Sequence, residues 1–435
     1  MPLESPLSFF ISASDSSRLS WSHFNLDIAS GVSIFFGGKA AVSAFALQPM
    51  YGRIWHGWYN APGCHAIVWE LVRTVLQGPF SLYSERLALS LGLDGKEGPK
   101  YIASRSGTVM QHTRHLAYVL NNSSWRGKEC KPVVVGQRIS PTPMQLMIVD
   151  FKKKVPTGND TLPPRSSRHS SLPMIASAAS IAACAMCVSV EDWLSFKMIL
   201  LGIISSGITS SIMSTGNITL ERLKPAHGVP RGDGMLLSDT RIVILRGNEE
   251  DVNAVTKGKL RLELKGGGYT VLLCAFIALL QVTLQLVFMP FGSLPGQLMF
   301  LLSLLVSVAC NLYLSANEDE VQSSALITLL NTPEVKTYQA SSRATAAVLA
   351  CLALCWESNT PPTQVLQEIV PIKPKAWKAW SEFVVDNIRE KRTQFVWGKN
   401  ESTDCLNDEE DKLLLELIDD AHAAHDQYIK DHTIA

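Results

Sequence analysis

The sequence predicts a multi-pass α-helical membrane protein. It reads as two transmembrane helical hairpins with an α+β N-terminal domain, a small β-rich insert and a helical C-terminal region. Three observations predict this. First, Tyr269–Phe291 and Gln297–Ala316 are apolar and uncharged, and Gly292–Gly296, with Pro295 and two glycines, joins them. Each arm is about 20 residues, which at ~1.5 Å per residue matches the ~30 Å hydrocarbon core of a bilayer. Second, Leu172–Val190 and Met198–Gly216 are two more uncharged runs on either side of a short polar turn, Glu191-Asp192-Trp193. Third, only 18% of residues are charged, against about 25% in soluble domains, and the apolar residues gather in blocks.

Composition also excludes. Lys plus Arg and Asp plus Glu both total 39, so no bulk charge points to nucleic acid. The nine cysteines are an odd count with no readable disulfide framework, and they fit a reducing compartment for the soluble parts. The first residues carry Glu4, Asp15 and Arg18 without a basic patch before an apolar core, unlike a cleaved signal peptide.

Taken in order, residues 1–20 are Ser- and Pro-rich and read as a disordered start. Residues 21–151 read as an α+β soluble domain. Within it, 28–47 is apolar but interrupted by Lys39 and Gly37-Gly38, which suits a soluble core or the membrane surface, with a fifth membrane segment as the alternative. Pro62–Leu76 and Ser81–Leu91 suit helices, while Val133–Val135 and Met147–Val149 suit short strands. Residues 152–171 form a basic Ser/Pro linker opening with Lys152-Lys153-Lys154.

The first hairpin occupies 172–216. Its small residues recur every four positions, with Ala176, Ser180 and Cys184 on one face and Gly202, Ser206, Ser210 and Ser214 on another. Such faces let helix backbones approach closely in lipid, which predicts tight pairing of the two helices. Residues 217–268 are a polar insert, read as compact and β-rich from Arg241–Arg246 and the alternating Lys259–Lys265. The second hairpin occupies 269–316. Residues 317–435 read as a helical C-terminal domain, with a buried helix over 341–356 and long helices over 375–397 and 408–430.

Lys and Arg flank Leu172 and fill the insert, whereas the turns 191–197 and 292–296 carry only Lys197. The positive-inside bias then puts both turns outside or in a lumen and both termini in the cytosol, in an endomembrane or the plasma membrane.

The predicted spans hold no Asp, Glu, Lys, Arg or His, which argues against a pump or ion-coupled carrier. Their polar residues are Gln281 and Gln285, one turn apart, and Ser303, Ser307 and Asn311 on a facing stripe. These suit interhelical hydrogen bonds, with a polar pore or a headgroup site as the functional alternative. Gln281 is expected to face the 296–316 helix. His112 and His115 are spaced three apart, as are His422 and His425, a spacing at which one helix can offer two metal ligands. Neither pair has a His-Glu-x-x-His arrangement or a third ligand, so each reads first as a solvated helix face. Arg231-Gly232-Asp233 matches an adhesion tripeptide. Trp377 and Trp380 with Lys373, Lys375 and Lys378 could touch anionic headgroups.

No cofactor is implied. The leading expectation is a non-enzymatic scaffold or interaction protein whose partners are the lipid bilayer and protein or lipid-headgroup ligands, not nucleic acid. A membrane-bound enzyme acting on a lipid or membrane-proximal substrate, using His65, His112 or His115, is the alternative. An oligomeric channel is third.

Overall fold

In the computed structural model the elements follow one another without a fixed repeat. It describes residues 39–51, 57–61, 65–76, 82–122, 133–136, 144–151, 161–162, 172–330, 333–356, 361–370, 375–392, 394–395, 397 and 407–433. Residues 1–20, expected from sequence to be disordered, and most of the linker over 152–171 lie outside these residues.

Four short helices come first: α1 (Lys39–Ala46), α2 (Gln48–Tyr51), α3 (His65–Leu76) and α4 (Tyr83–Ser90). There follow β1 (Lys100–Ala103), β2 (Val109–Met110), α5 (His115–Asn122), β3 (Val133–Val135) and β4 (Met144–Asp150). The first long pair is α6 (Leu172–Ser189) and α7 (Trp193–Ser214). Next stand β5 (Asn217–Glu221), β6 (Gly234–Leu237), β7 (Arg241–Arg246), α8 (Glu249–Thr256) and β8 (Lys259–Glu263). The second long pair is α9 (Gly268–Phe288), continued by a 3-10 turn over Met289–Phe291, and α10 (Leu294–Ala316). The chain ends with α11 (Glu318–Leu329), β9 (Glu334–Ala340), α12 (Arg343–Cys355), α13 (Pro362–Ile369), α14 (Lys375–Arg389) and α15 (Asp408–Thr433).

Four of these helices, over Leu172–Ser189, Trp193–Ser214, Gly268–Phe291 and Leu294–Ala316, are long and apolar enough to cross a membrane. The chain also contains an α/β region and a helical C-terminus. The residues divide into two units, and the chain passes between them five times. The helical unit takes 1–95, 160–220 and 260–325, and the sheet unit takes 96–159, 221–259 and 326–435.

This division differs from the sequence reading in three ways. The segment 21–151 splits at Gly95, because helices α1 to α3 pack against α7, α9 and α10 while β1 to β4 enter the sheet. The 217–268 insert is not one body: β5 and β8 pair with each other, whereas β6 and β7 join the large sheet. The C-terminal region is not purely helical, because β9 inserts between β4 and β3. The alternation in Glu334-Val335-Lys336-Thr337-Tyr338-Gln339-Ala340 is the period-two signal of a strand. Its surroundings of helical sequence masked it.

In the sheet unit the strand order is β2-β1-β6-β7-β4-β9-β3. At its centre β4 runs parallel to β7, from Gln145 opposite Arg241 to Asp150 opposite Arg246. On its other side β4 runs antiparallel to β9, from Met144 opposite Ala340 to Asp150 opposite Glu334. One face of this sheet packs on α12, whose Ala, Leu and Cys residues are buried all round, as a helix with no charge after Arg343 at its start requires. Ser342 caps α12 by accepting from the Thr345 amide at 3.0 Å, and it donates to Asp420 at 2.6 Å on α15. Trp380 on α14 is fully buried, and its indole donates to the Leu417 carbonyl at 2.9 Å.

In the helical unit the second helix of each long pair begins on a side-chain cap. Asp192 accepts from the Ser195 amide at 3.0 Å at the start of α7. Ser293 accepts from the Gly296 amide at 3.3 Å at the start of α10. These caps satisfy amides that a helix start leaves open.

Candidate functional site: the enclosed polar centre of the helical unit

The polar residues of the long helices converge on one short stretch of the N-terminal chain, Gly57–Ala61. Between α2 and α3 this stretch enters the middle of the bundle without helical structure, so its own backbone groups need partners from elsewhere. The long helices supply them. The Asn60 amide donates to Ser180 Oγ at 2.9 Å. Asn60 Nδ2 donates to Ser303 Oγ at 2.7 Å. Asn60 Oδ1 accepts from Gln285 Nε2 at 3.3 Å, and the same Gln285 nitrogen donates to the Met198 carbonyl at 3.1 Å. Gln281 Nε2 donates to the Ala61 carbonyl at 2.9 Å and reaches Gln285 Oε1 at 3.4 Å. Tyr59 donates its hydroxyl to Asn311 Oδ1 at 2.8 Å.

Glycines make room for this stretch. A Cβ at Gly202 would fall 1.9 Å from Asn60 Oδ1, and one at Gly207 would fall 2.4 Å from the Trp58 ring. In turn a Cβ at Gly57 would fall 1.9 Å from Ser210 Oγ. The small-residue face of α7 was expected to receive a neighbouring long helix. It receives the Gly57–Asn60 stretch, to which Ser180 of α6 is also bonded, while α6 and α7 pack on each other as well.

Gln281 likewise points inward, but its bond goes to the Ala61 carbonyl rather than to α10. Ser307 satisfies itself, donating to the Ser303 carbonyl one turn back at 2.8 Å. Beside the network lies a cavity of about 60 Å³ lined by Gln48, Tyr59, Ser206, Ser210, Gln281 and Asn311, among others. Gln48 Oε1 is buried there without a hydrogen-bond partner among the described residues. The space and its polar lining suit bound water, which needs only ~10–15 Å³ and a few polar neighbours.

At the other end of the bundle Asp192 ties both hairpin turns together. Its Oδ2 accepts from Ser195 Oγ at 2.8 Å, from the Ser293 amide at 2.8 Å and from Ser293 Oγ at 2.5 Å.

The histidines singled out by spacing do not assemble. His112 is exposed beside Glu97 at 3.5 Å, whereas His115 is buried and accepts from the Lys96 amide at 3.4 Å. His65 opens α3 in the helical unit, and its side chain lies outside the described residues. His422 and His425 share a face of α15 but meet aromatic rings: Phe383 lies 6.1 Å from His422, and Phe395 4.3 Å from His425. Among the described residues no group of three His, Cys, Asp or Glu side chains is placed to hold a metal ion.

Sequence reasoning missed Gln48, Tyr59 and Asn60. The signal was the pair of short apolar stretches on either side of Gly57-Trp58-Tyr59-Asn60-Ala61-Pro62-Gly63. Apolar helices of about 10–14 residues are too short to span and suit buried or re-entrant positions. Comparison of the chain with family models, curated proteins and solved structures finds no match.

Proposed function

We propose that the chain is a multi-pass membrane protein whose helical unit is a closed anchor and whose sheet unit is a cytosolic interaction domain. The observation that carries this is Asn60, whose backbone amide and side-chain amide are bonded to α6, α9 and α10 together. Ser180 and Ser303 stand eight and nine residues into their helices, a depth of ~12–14 Å at helical rise, near the middle of a bilayer. Irregular backbone at that depth is tolerated only where protein or a water-filled cavity encloses it. α1 and α2 would descend into the bundle and α3 would leave it, as a re-entrant segment. The lipid boundary would be the outward faces, where Ile181, Ile204, Phe276, Leu280, Leu302 and Leu305 are exposed. Apolar surface on that scale is uncommon on a soluble monomer.

The centre of the bundle is then filled by the chain's own segment. Among the described residues the network there is made of amides, hydroxyls and carbonyls, with no ionisable carboxylate, lysine, arginine or histidine. That favours an anchor over an ion-coupled carrier or a pore within one chain. The chain acts without catalysis of its own, and its partners are protein or lipid headgroups at the membrane surface.

The test is flux through liposomes reconstituted with the full-length protein. Leakage of potassium and of a small neutral solute is expected to match protein-free liposomes. Leakage above that level, reduced by Asn60→Ala or Gln281→Leu, would sink the anchor reading in favour of a channel.

A further inference from the structure

Where β4 and β7 end, the sheet unit holds a cavity of about 320 Å³. That is within the ~300–1,000 Å³ of small-molecule sites. Sheets with parallel strands hold ligands outside the carboxyl ends of those strands. β4 and β7 are the central parallel pair here, and their last residues, Asp150 and Arg246, stand opposite each other and line the cavity.

Four cations line it, Arg105, Arg231, Arg246 and Lys336, and so do four acids, Asp150, Asp233, Glu334 and Asp431. Formal charge therefore cancels, and hydrogen bonding decides what the cavity can take. Asp233 is 9% exposed and both its oxygens are occupied: Oδ1 accepts from the Gly247 amide at 3.0 Å, and Oδ2 pairs with Arg105 at 3.2 Å. Both oxygens of Asp431 are occupied too, by the Tyr338 hydroxyl at 2.6 Å and by Gln427 Nε2 at 2.9 Å. Asp150 has Arg246 across the ladder and an interaction of its own. Only Glu334, exposed at the rim, lacks a partner among the described residues.

The cations are less committed. Arg105 gives one nitrogen to Asp233, and Arg246 gives one to the Ala353 carbonyl. A guanidinium has five N–H donors, so both keep donors in reserve. The side chains of Arg231 and Lys336 have no hydrogen-bonding or ionic partner among the described residues. The loop that carries Arg231 is nonetheless held firmly. The Gly232 amide donates to the Gly247 carbonyl at 3.2 Å, and the Tyr101 hydroxyl donates to the Gly232 carbonyl at 2.9 Å. Ser104 Oγ donates to the Asp233 carbonyl at 2.8 Å. Arg231-Gly232-Asp233 is therefore no adhesion tripeptide on display. Its aspartate is tied inward, and its arginine stands free on a fixed loop.

The cavity thus keeps uncommitted donors on Arg231 and Lys336 and spare ones on Arg105 and Arg246, while Asp150, Asp233 and Asp431 are already engaged. Forked guanidinium donors match the oxygens of phosphate or carboxylate, and several around one space favour the more highly charged phosphate. We propose that this cavity binds a phosphate-bearing ligand, with Arg231 and Lys336 contacting phosphate oxygens and Arg105 and Arg246 completing the cradle. A soluble phosphate ester and the headgroup of a phosphorylated lipid share this chemistry.

The test uses full-length protein in detergent micelles and a fluorescent inositol trisphosphate, with binding read by anisotropy. Saturable binding is expected. It should weaken at least tenfold in the double variant Arg231→Ala/Lys336→Ala and in the same direction in Lys336→Gln, with thermal unfolding unchanged because both residues are exposed and uncommitted. Competition by mixed micelles of phosphatidylinositol bisphosphate that exceeds competition by unlabelled soluble trisphosphate assigns the site to a lipid headgroup. The reverse order assigns it to a soluble ester. Absence of saturable binding, equal binding by the double variant, or equal competition by phosphatidylcholine micelles overturns the proposal.

Discussion

Asn60 shows how much a single side chain can organise. Its amide joins Ser303 and Gln285 and its backbone joins Ser180, so truncating it leaves several enclosed polar groups without partners. Unsatisfied buried groups cost about 1–3 kcal/mol each, and paired polar contacts between membrane helices average ~0.6 kcal/mol in double-mutant cycles. Asn60→Ala should therefore destabilise the protein by about 1–3 kcal/mol, and the cycle with Gln285→Leu should show coupling. Additive effects in detergent unfolding would mean that the 3.3 Å contact contributes nothing. A second residue, His425, links structure to pH. It is 1% exposed and stacks near Phe395, and burial pushes its imidazole below the usual range, partly opposed by its hydrogen bond to the Arg392 carbonyl at 3.2 Å. The folded state thus binds this proton less well than the unfolded chain, whose histidine titrates near ~6.5. The stability carried by the neutral ring is complete above that value and is lost as pH falls below it. The unfolding midpoint should drop between pH 7.5 and 5.5, and His425→Gln should flatten that slope. An unchanged slope in the variant would assign the titration elsewhere.

At the scale of elements, the two hairpins meet at Asp192. This residue reads in the sequence as part of a short polar turn, yet it is buried, caps α7 and accepts twice from Ser293 at the start of α10. Gly296 allows that approach: a Cβ there would fall 2.0 Å from Asp192 Oδ2 and 2.7 Å from Ser195 Cβ. Gly296→Ala must push the turns apart, and overpacking of this kind costs about 1–3 kcal/mol. Asp192→Ala removes the cap and the tie, with the cap alone amounting to about 0.5–2 kcal/mol. Both variants should lower the unfolding midpoint, and their combination should cost less than the sum because they break the same junction. Strict additivity would show that the two turns are independent. The long helices themselves were legible because an uncharged run of spanning length has few other readings. The occupant of their small-residue faces was not, since Gly202 and Ser210 advertise close approach without naming what approaches.

At the scale of the whole molecule, the order of segments constrains sidedness. The seven-stranded sheet draws on three stretches of chain, and the two hairpins lie between them. In the proposed arrangement each hairpin crosses the bilayer twice, so it leaves and returns on one side. Its turns at 190–192 and 292–293 lie on the other. The basic residues before Leu172 and in the insert favour the cytosol for the sheet. Asn-x-Ser/Thr acceptors occur at Asn121, Asn122, Asn159, Asn217 and Asn400, and none occurs in either turn. Expressed in a eukaryotic secretory pathway, the full-length chain should show no endoglycosidase shift, whereas an acceptor site placed on a spacer in the 292–293 turn should be modified. A shift abolished by mutating Asn121, Asn122 or Asn400 would invert the orientation.

By itself the sequence determined where apolar length suffices to cross a membrane, where those helices start and turn, and which of their polar residues would be enclosed. These are local matters: charge exclusion, helical rise and capping act within a few turns of chain. Which segments share a body was decided only by tertiary structure. The insert divides, with β6 and β7 in the large sheet and β5 with β8 apart, because strand pairing joins residues far apart in sequence. The partners of Gln281, Gln285 and Ser303 are Asn60 and Ala61, more than 200 positions away, for the same reason. The cavity at the ends of β4 and β7 is the extreme case. Arg105, Arg231, Arg246 and Lys336 are ordinary surface cations in the sequence, and only the pairing of β1, β6, β7, β4 and β9 in one sheet gathers them around one space.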